Sequence, residues 1–160
     1  MGTPGGTQMR IARWMIAALV VFALGCGNTK PKPAAPQPMS GGGVVWQTDF
    51  AKALQQAKQE GKPMLVDVMA TWCTPCKLLQ KNVWSRSDVG ELSKRFIAVQ
   101  VDGDLHGDLK AKFAVQSYPT TIFLRPDGTE MNRVLAAVPY EVMLQAMQDA
   151  LDKTAGPNPK

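Results

Sequence analysis

Met64-Leu65-Val66-Asp67-Val68-Met69-Ala70 is a nearly continuous apolar run that breaks at Thr71-Trp72 into Cys73-Thr74-Pro75-Cys76-Lys77. A run this short and this unbroken is the pattern of a central strand covered on both faces. The stretch from the cysteines to about Trp84 has helical character, so the C-x-x-C pair is expected where a buried strand hands over to a helix.

The flanking pattern agrees with that junction. Thr48 or Asp49 can cap a helix in which Phe50, Leu54 and Ala57 share a face, ending at Gly61 before Pro63. A second helical stretch runs from Asp88 to Arg95, with Val89, Leu92 and Phe96 three and four apart. Ile97 to Val101 reads as a strand, and a short helix is expected around Leu109 to Phe113. Thr120 to Leu124 and Met131 to Ala136 are joined by Pro126-Asp127-Gly128, a turn signal that makes them an antiparallel hairpin. Pro139 can open a last helix with Val142, Leu144, Ala146, Met147 and Leu151 on its apolar face. Strand–helix repeats followed by a hairpin and a terminal helix argue for an α/β domain with a mixed sheet and helices on both faces.

The formal charge of +5 suggests a nucleic-acid binder until the charges are located. Arg10, Arg13, Lys30, Lys32 and Lys160 lie outside Val44 to Lys153, and within that span 13 basic residues balance 13 acidic ones. Binding by phosphate neutralisation thereby loses its main support, and no nucleic-acid partner is expected.

The first 25 residues read as an export signal: Arg10 and Arg13 flank an uninterrupted apolar run of 11 residues, Trp14 to Leu24. That is short of the roughly 20 residues a spanning helix needs and within the size of a signal-peptide core. Ala23-Leu24-Gly25-Cys26 resembles the lipobox of bacterial lipoproteins, which implies that Cys26 is acylated and becomes the first residue of the mature chain, held to a lipid bilayer. The other reading is an ordinary signal peptide cut nearby, with Cys26 incidental. Several acyl chains on one cysteine would anchor stably where one alone would not. Gly27 in place of an aspartate leans the lipoprotein toward the outer membrane if the cell has one. Residues 26–43 contain four prolines and four glycines without apolar periodicity, and are expected to be a tether. The domain is expected over residues 44–153, with a disordered tail over 154–160.

Cys73 and Cys76 are the chemistry-bearing pair. A thiolate at a helix N-terminus faces unsatisfied backbone N–H groups and the positive end of the dipole, and thiol-disulfide exchange proceeds through the thiolate. Pro75 can sit in the first turn without wasting a hydrogen bond. Cys73 is expected to be outermost and to attack a partner disulfide, and Cys76, one turn in, to resolve the mixed disulfide. A zinc site would need further Cys or His ligands, and only His106 and Cys26 are on offer. A two-cysteine Cu(I) site stays open, since soft thiolates suit that ion. A purely structural disulfide closing so short a loop would restrict the unfolded chain little.

Trp72-Cys73-Thr74-Pro75-Cys76-Lys77, the acidic strand residue six positions upstream and Tyr118-Pro119-Thr120 together resemble the thioredoxin superfamily over about 110 residues, Val44 to Lys153. Lys77 to Asp88 and Pro119 to Phe123 look most like the periplasmic C-terminal domain of the thiol:disulfide interchange proteins. The resemblance implies a thioredoxin-like fold and a redox-active Cys73–Cys76 disulfide with no other cofactor. It also implies a cis Pro119 beside the sulfurs, holding the preceding backbone open for a partner strand. The groove around the pair would be lined by Trp72, Thr74, Pro75, Tyr118 and Pro119. Asp67, inside an apolar run, is expensive to ionise, so its pKa should rise and it is expected to exchange a proton with Cys76. The alternative is an inert, hydrogen-bonded aspartate. In cytoplasmic thioredoxins a lysine commonly neighbours this acid, and Ile97 to Val101 offers none.

The expected function is a membrane-tethered thiol-disulfide oxidoreductase outside the cytoplasm. It would reduce disulfides in exported proteins and be recharged by a membrane electron carrier. The competing reading is a lipoprotein that binds Cu(I) or a peptide through the same cysteines without turnover.

Overall fold

The computed structural model describes residues 1–2 and 42–155; the leader, Cys26 and the tether up to residue 41 lie outside the described residues, as do residues 156–160. The elements follow in the order α1 (Phe50–Glu60), β1 (Met64–Met69), α2 (Thr74–Leu79), α3 (Ser87–Ser93), β2 (Ile97–Asp102), α4 (Gly107–Lys112), β3 (Thr120–Leu124), β4 (Glu130–Leu135) and α5 (Tyr140–Ala155). A π-helical turn, Gln80–Trp84, prolongs α2.

The sheet order is β2-β1-β3-β4. β1 pairs in parallel with β2, Met64 opposite Ile97, and antiparallel with β3, Met64 opposite Leu124. β4 completes the hairpin with β3, its register shifted between Phe123 and Leu124. The turn is built as its residues require. Asp127 Oδ1 accepts from the Thr129 amide at 2.8 Å, and Gly128 takes φ 91°. At the start of α1, Asp49 Oδ1 accepts from the Lys52 amide at 3.0 Å, and Gly61 ends the helix at φ 65°.

Side chains alternate across the strands, so the two faces bury different residues. One face sets Met64, Val66 and Val68 of β1 with Ile97, Val99, Ile122 and Leu124 against Phe50, Ala53 and Ala57 of α1. The other sets Leu65, Ala98 and Phe123 against α2 with its π turn, α3 and α5, through Leu79, Trp84, Val89, Met143 and Met147. The expected mixed sheet with helices on both faces is what forms. Met64, Met143 and Met147 are fully buried in the core, whereas Met69 is half-buried and packs on the cluster of Ala70 and the two cysteines.

Backbone contacts run past residues 44–153 at both ends. Gly43 lies against the backbone of Trp84 and Ser85, and the Val44 amide donates to Trp84 O at 2.8 Å. Only glycines permit this approach, because a Cβ on Gly90 of α3 would fall 2.3 Å from Gly42 O. Gly42 and Gly43 therefore pack against α3 and the π turn. At the other end α5 continues through Ala155, with Thr154 Oγ1 donating to Ala150 O at 2.8 Å. Gly90→Ala tests the first of these contacts. Helix propensity favours alanine by about 1 kcal/mol, whereas forcing a methyl into a filled contact costs about 1–3 kcal/mol. A net loss of stability in urea denaturation is expected, and a gain would mean that Gly42-Gly43 does not pack on α3.

Candidate redox site

β1 delivers the chain to the site. The Cys73 amide donates to Ala70 O at 3.1 Å, which turns the backbone out of the strand. Cys73 then caps α2, with extended backbone at φ −70° and ψ 107°, and its Sγ accepts from the Cys76 amide at 3.1 Å. Thr74 and Pro75 occupy the first helical positions, where the missing proline N–H leaves no gap in the hydrogen-bond ladder. The two cysteines are joined as a disulfide, Cα–Cα 5.3 Å.

The expectation that Cys73 is outermost does not hold. Cys73 is 2% exposed and Cys76 7%, so exposure does not rank them. Met69 and Tyr118 pack onto the pair together with Ala70, while the Trp72 side chain stands outside it at 67% exposure. The cap contact separates the two sulfurs instead. Cys73 Sγ receives the helix N–H, so on reduction a thiolate at Cys73 gains a charge-assisted bond.

Trp72 and Tyr118 meet edge to face, ring centroids 6.0 Å apart. Trp72 Nε1 donates to Asp104 Oδ2 at 2.7 Å and the Tyr118 hydroxyl donates to Asp104 Oδ1 at 3.1 Å. Thr74 and Pro75 are exposed beside them. The Tyr118–Pro119 peptide is cis, and Pro119 is buried. Tyr118 thus packs on the cluster that holds Cys73 and Cys76 and meets Trp72, while Thr74 and Pro75 open α2 between the two cysteines.

Asp67 lies on the sheet face that α2 covers, between Leu65 of the core and Met69, which touches the cysteines. It is 2% exposed. Gln100, its partner in β2, donates Nε2 to Asp67 Oδ2 at 3.0 Å. Thr121 stands opposite in β3, and neither Asp67 Oδ1 nor Thr121 Oγ1 has a hydrogen-bond partner. Burial pushes the Asp67 carboxyl up from its usual value to about 6, and the Gln100 bond pulls against that rise.

Among the described residues no group of three or more His, Cys, Asp or Glu gathers as a metal site, and His106 is exposed. A concavity of about 440 Å³ lined by Gln47, Gln56, Lys62, Lys94 and Phe96 contains none of the site residues.

Residues 45–126 match the family model described as thioredoxin-like. The chain belongs to the thioredoxin-like family. It is 36% identical over 90 residues to thioredoxin Asp f 29 of Aspergillus fumigatus, covering 56% of this chain and 80% of that one. It is 29% identical over 99 residues to the thiol:disulfide interchange protein DsbD of Pseudomonas fluorescens, covering 58% of this chain but 17% of that protein. Among solved structures, a poplar thioredoxin h superposes with a TM-score of 0.58 at 26% identity, over 69% of this chain and 98% of that one. As in that family, the redox centre of this thioredoxin-like domain is the disulfide itself.

Two polar partners escaped the reading of the sequence. Gln100 carried a usable signal, being the one polar residue inside Ile97 to Val101, as Asp67 is inside its own run. Asp104 carried none, because an exposed Asp in a Gly-containing loop is ordinary until the fold sets it beside two aromatics.

The raised carboxyl of Asp67 has a consequence for stability. The unfolded chain loses this proton near the ordinary value of 3.8 and the native chain near 6. Stability from this group is therefore fully present below the lower value and lost as pH rises through the upper one. Asp67→Asn should gain about 2–3 kcal/mol over the wild type at pH 8 relative to pH 4, measured by urea denaturation at both. An equal difference at the two pH values would mean that Asp67 ionises normally.

Proposed function

We propose that this thioredoxin-like domain is a membrane-tethered disulfide reductase outside the cytoplasm. In the forward reaction the Cys73 thiolate attacks a partner disulfide, forming a mixed disulfide and releasing one partner thiolate. Cys76 then gives up its proton and attacks Cys73 Sγ, releasing the second partner thiolate. Two electrons pass to the partner and the Cys73–Cys76 disulfide remains. The dithiol of a membrane electron carrier restores the pair by the same exchange in reverse.

The observation that carries this reading is the bond from the Cys76 amide to Cys73 Sγ, because it favours a charged sulfur at the attacking position. Asp67 is the proton acceptor for Cys76 in this scheme. A carboxyl that titrates at about 6 is largely ionised at neutral pH, yet holds a transferred proton at little cost. The backbone before Pro119 would pair with a partner strand, while Trp72, Thr74 and Pro75 line the groove. Export, acylation at Cys26 and outer-membrane placement rest on the charged flank, the apolar run and Gly25-Cys26-Gly27. The reducing direction rests on Thr74-Pro75, which keeps the proline of reducing C-x-x-C proteins.

The mature chain in detergent should reduce insulin and show a reversible two-electron couple in glutathione buffers, nearer about −270 than −120 mV. Cys73→Ser should fall to the uncatalysed rate, and Cys76→Ser should accumulate mixed disulfides. Fatty-acid label should be incorporated by the wild type and not by Cys26→Ala. Tight one-to-one Cu(I) uptake with negligible turnover would overturn the enzyme in favour of a binding lipoprotein.

A further inference from the structure

Both cysteines are buried although their neighbours Trp72, Thr74 and Pro75 are exposed, so another element must supply the cover. Exchange requires a thiolate to approach one sulfur from the side away from its partner, and a covered disulfide does not allow that approach. Met69, from the strand that carries the pair, and Tyr118, from the loop before β3, both pack on the cluster of Ala70, Cys73 and Cys76. Of the two, Tyr118 is the one that comes from another element.

Tyr118 also packs on the α1-side core, with Lys110 Nζ 5.1 Å from its ring centroid, and three contacts hold its outer part. Its hydroxyl donates to Asp104 Oδ1 at 3.1 Å. Its ring meets the edge of Trp72. Its outer end rests on Gly103, where a Cβ would fall 2.4 Å from the hydroxyl oxygen and 2.6 Å from the nearest ring carbon. Asp104 is itself well founded, since the Gly103 amide donates to Met69 O at 2.8 Å and the Asp104 amide to Asp102 Oδ1 at 3.0 Å. The loop that carries the carboxylate is thus tied to the strand that carries the cysteines.

The two arms of the carboxylate are unequal. The Trp72 arm, at 2.7 Å, has the length of a charge-assisted N–H···O bond. The Tyr118 arm, at 3.1 Å, is longer than the 2.5–2.7 Å of a strong O–H···O⁻ bond, and it is open to water. One arm is an anchor and the other a latch that releases easily.

We propose that Asp104 is a positioning residue of the exchange reaction: its carboxylate latches Tyr118 over the Cys73–Cys76 disulfide, and release of that phenol admits the attacking thiol. Gly103 belongs to the same device, because its bare Cα is what lets the phenol lie flat enough to reach the latch. The inference rests on the redox reading of the cysteine pair, but its test reads the chain's own disulfide and needs no partner protein. Failure to reduce insulin would count against the proposed function and leave the latch standing.

The measurement is the rate at which excess reduced glutathione opens the disulfide in the full mature chain, followed by quenching and alkylation. The compact thiol 2-mercaptoethanol runs in parallel. Tyr118→Phe keeps the ring and the net charge and loses only the latch. It should open roughly three- to tenfold faster with glutathione, the scale of one lost hydrogen bond. The acceleration should be smaller with 2-mercaptoethanol, because a cover discriminates by size. Asp104→Ala should accelerate at least as much, and adding Tyr118→Phe to it should change nothing further, since both remove the same contact. Gly103→Ala should reach the same result by pushing the phenol off. An unchanged or slower rate in a folded Tyr118→Phe would overturn the latch. Equal acceleration by both thiols would overturn it too, since that is the mark of a loosened domain.

Discussion

One backbone position joins the fold to the chemistry. Cys73 is the cap of α2, and a cap must leave the strand direction, stay out of helical dihedrals and point an acceptor back at the first turn. Sulfur is a weak acceptor when neutral and a strong one when charged. A cap made of cysteine is therefore mediocre in the oxidised chain and improves when the sulfur becomes a thiolate. The helix start stabilises the form of the sulfur that reacts, and it does so through backbone groups that side-chain substitution leaves in place. The rest of the domain serves to hold that helix start against the end of β1.

The sheet does this by presenting different residues on its two faces. Val66 and Val68 look toward α1, whereas Leu65, Asp67 and Met69 look toward α2. Along that second face the character changes from core to acid to the wall of the redox site within five residues. Asp67 is buried because it shares a strand with residues that must be buried, and Gln100 meets it because the parallel register of β1 and β2 aligns the fourth residue of each. A neutral amide at that place supplies one hydrogen bond without a countercharge, so desolvation dominates and the carboxyl rises. Asp67 Oδ1 and Thr121 Oγ1 lie unpartnered in this row, as do the indole N–H groups of Trp46 and Trp84 elsewhere in the same layer.

Tyr118 belongs to a second convergence, this time of loops. It precedes β3, Trp72 follows β1 and Asp104 follows β2, so three segments distant in sequence close around two sulfurs. Both cysteines are buried, against the expectation that the first would stand open, and Tyr118 of this convergence packs on their cluster. Exposure is a property of what packs on a residue, and Tyr118 packs from 45 positions away.

Local chemistry determined much of this protein before any folding was considered. The apolar run of β1, the caps at Asp49 and Gly61, the turn at Asp127-Gly128 and the C-x-x-C at a helix start are all short-range, because each depends on neighbours within one or two turns of chain. The resemblance carried by Trp72 to Lys77 and by Tyr118-Pro119-Thr120 placed them in one family. What required the tertiary structure were the pairings across the sheet and between loops: Gln100 with Asp67, Asp104 with Trp72 and Tyr118, Gly103 beneath the phenol, and Gly42-Gly43 against Gly90. These depend on register and loop closure: Gln100 and Asp67 each stand out as polar in an apolar run, yet only the register shows that they meet, and the loop residues carry no local pattern at all.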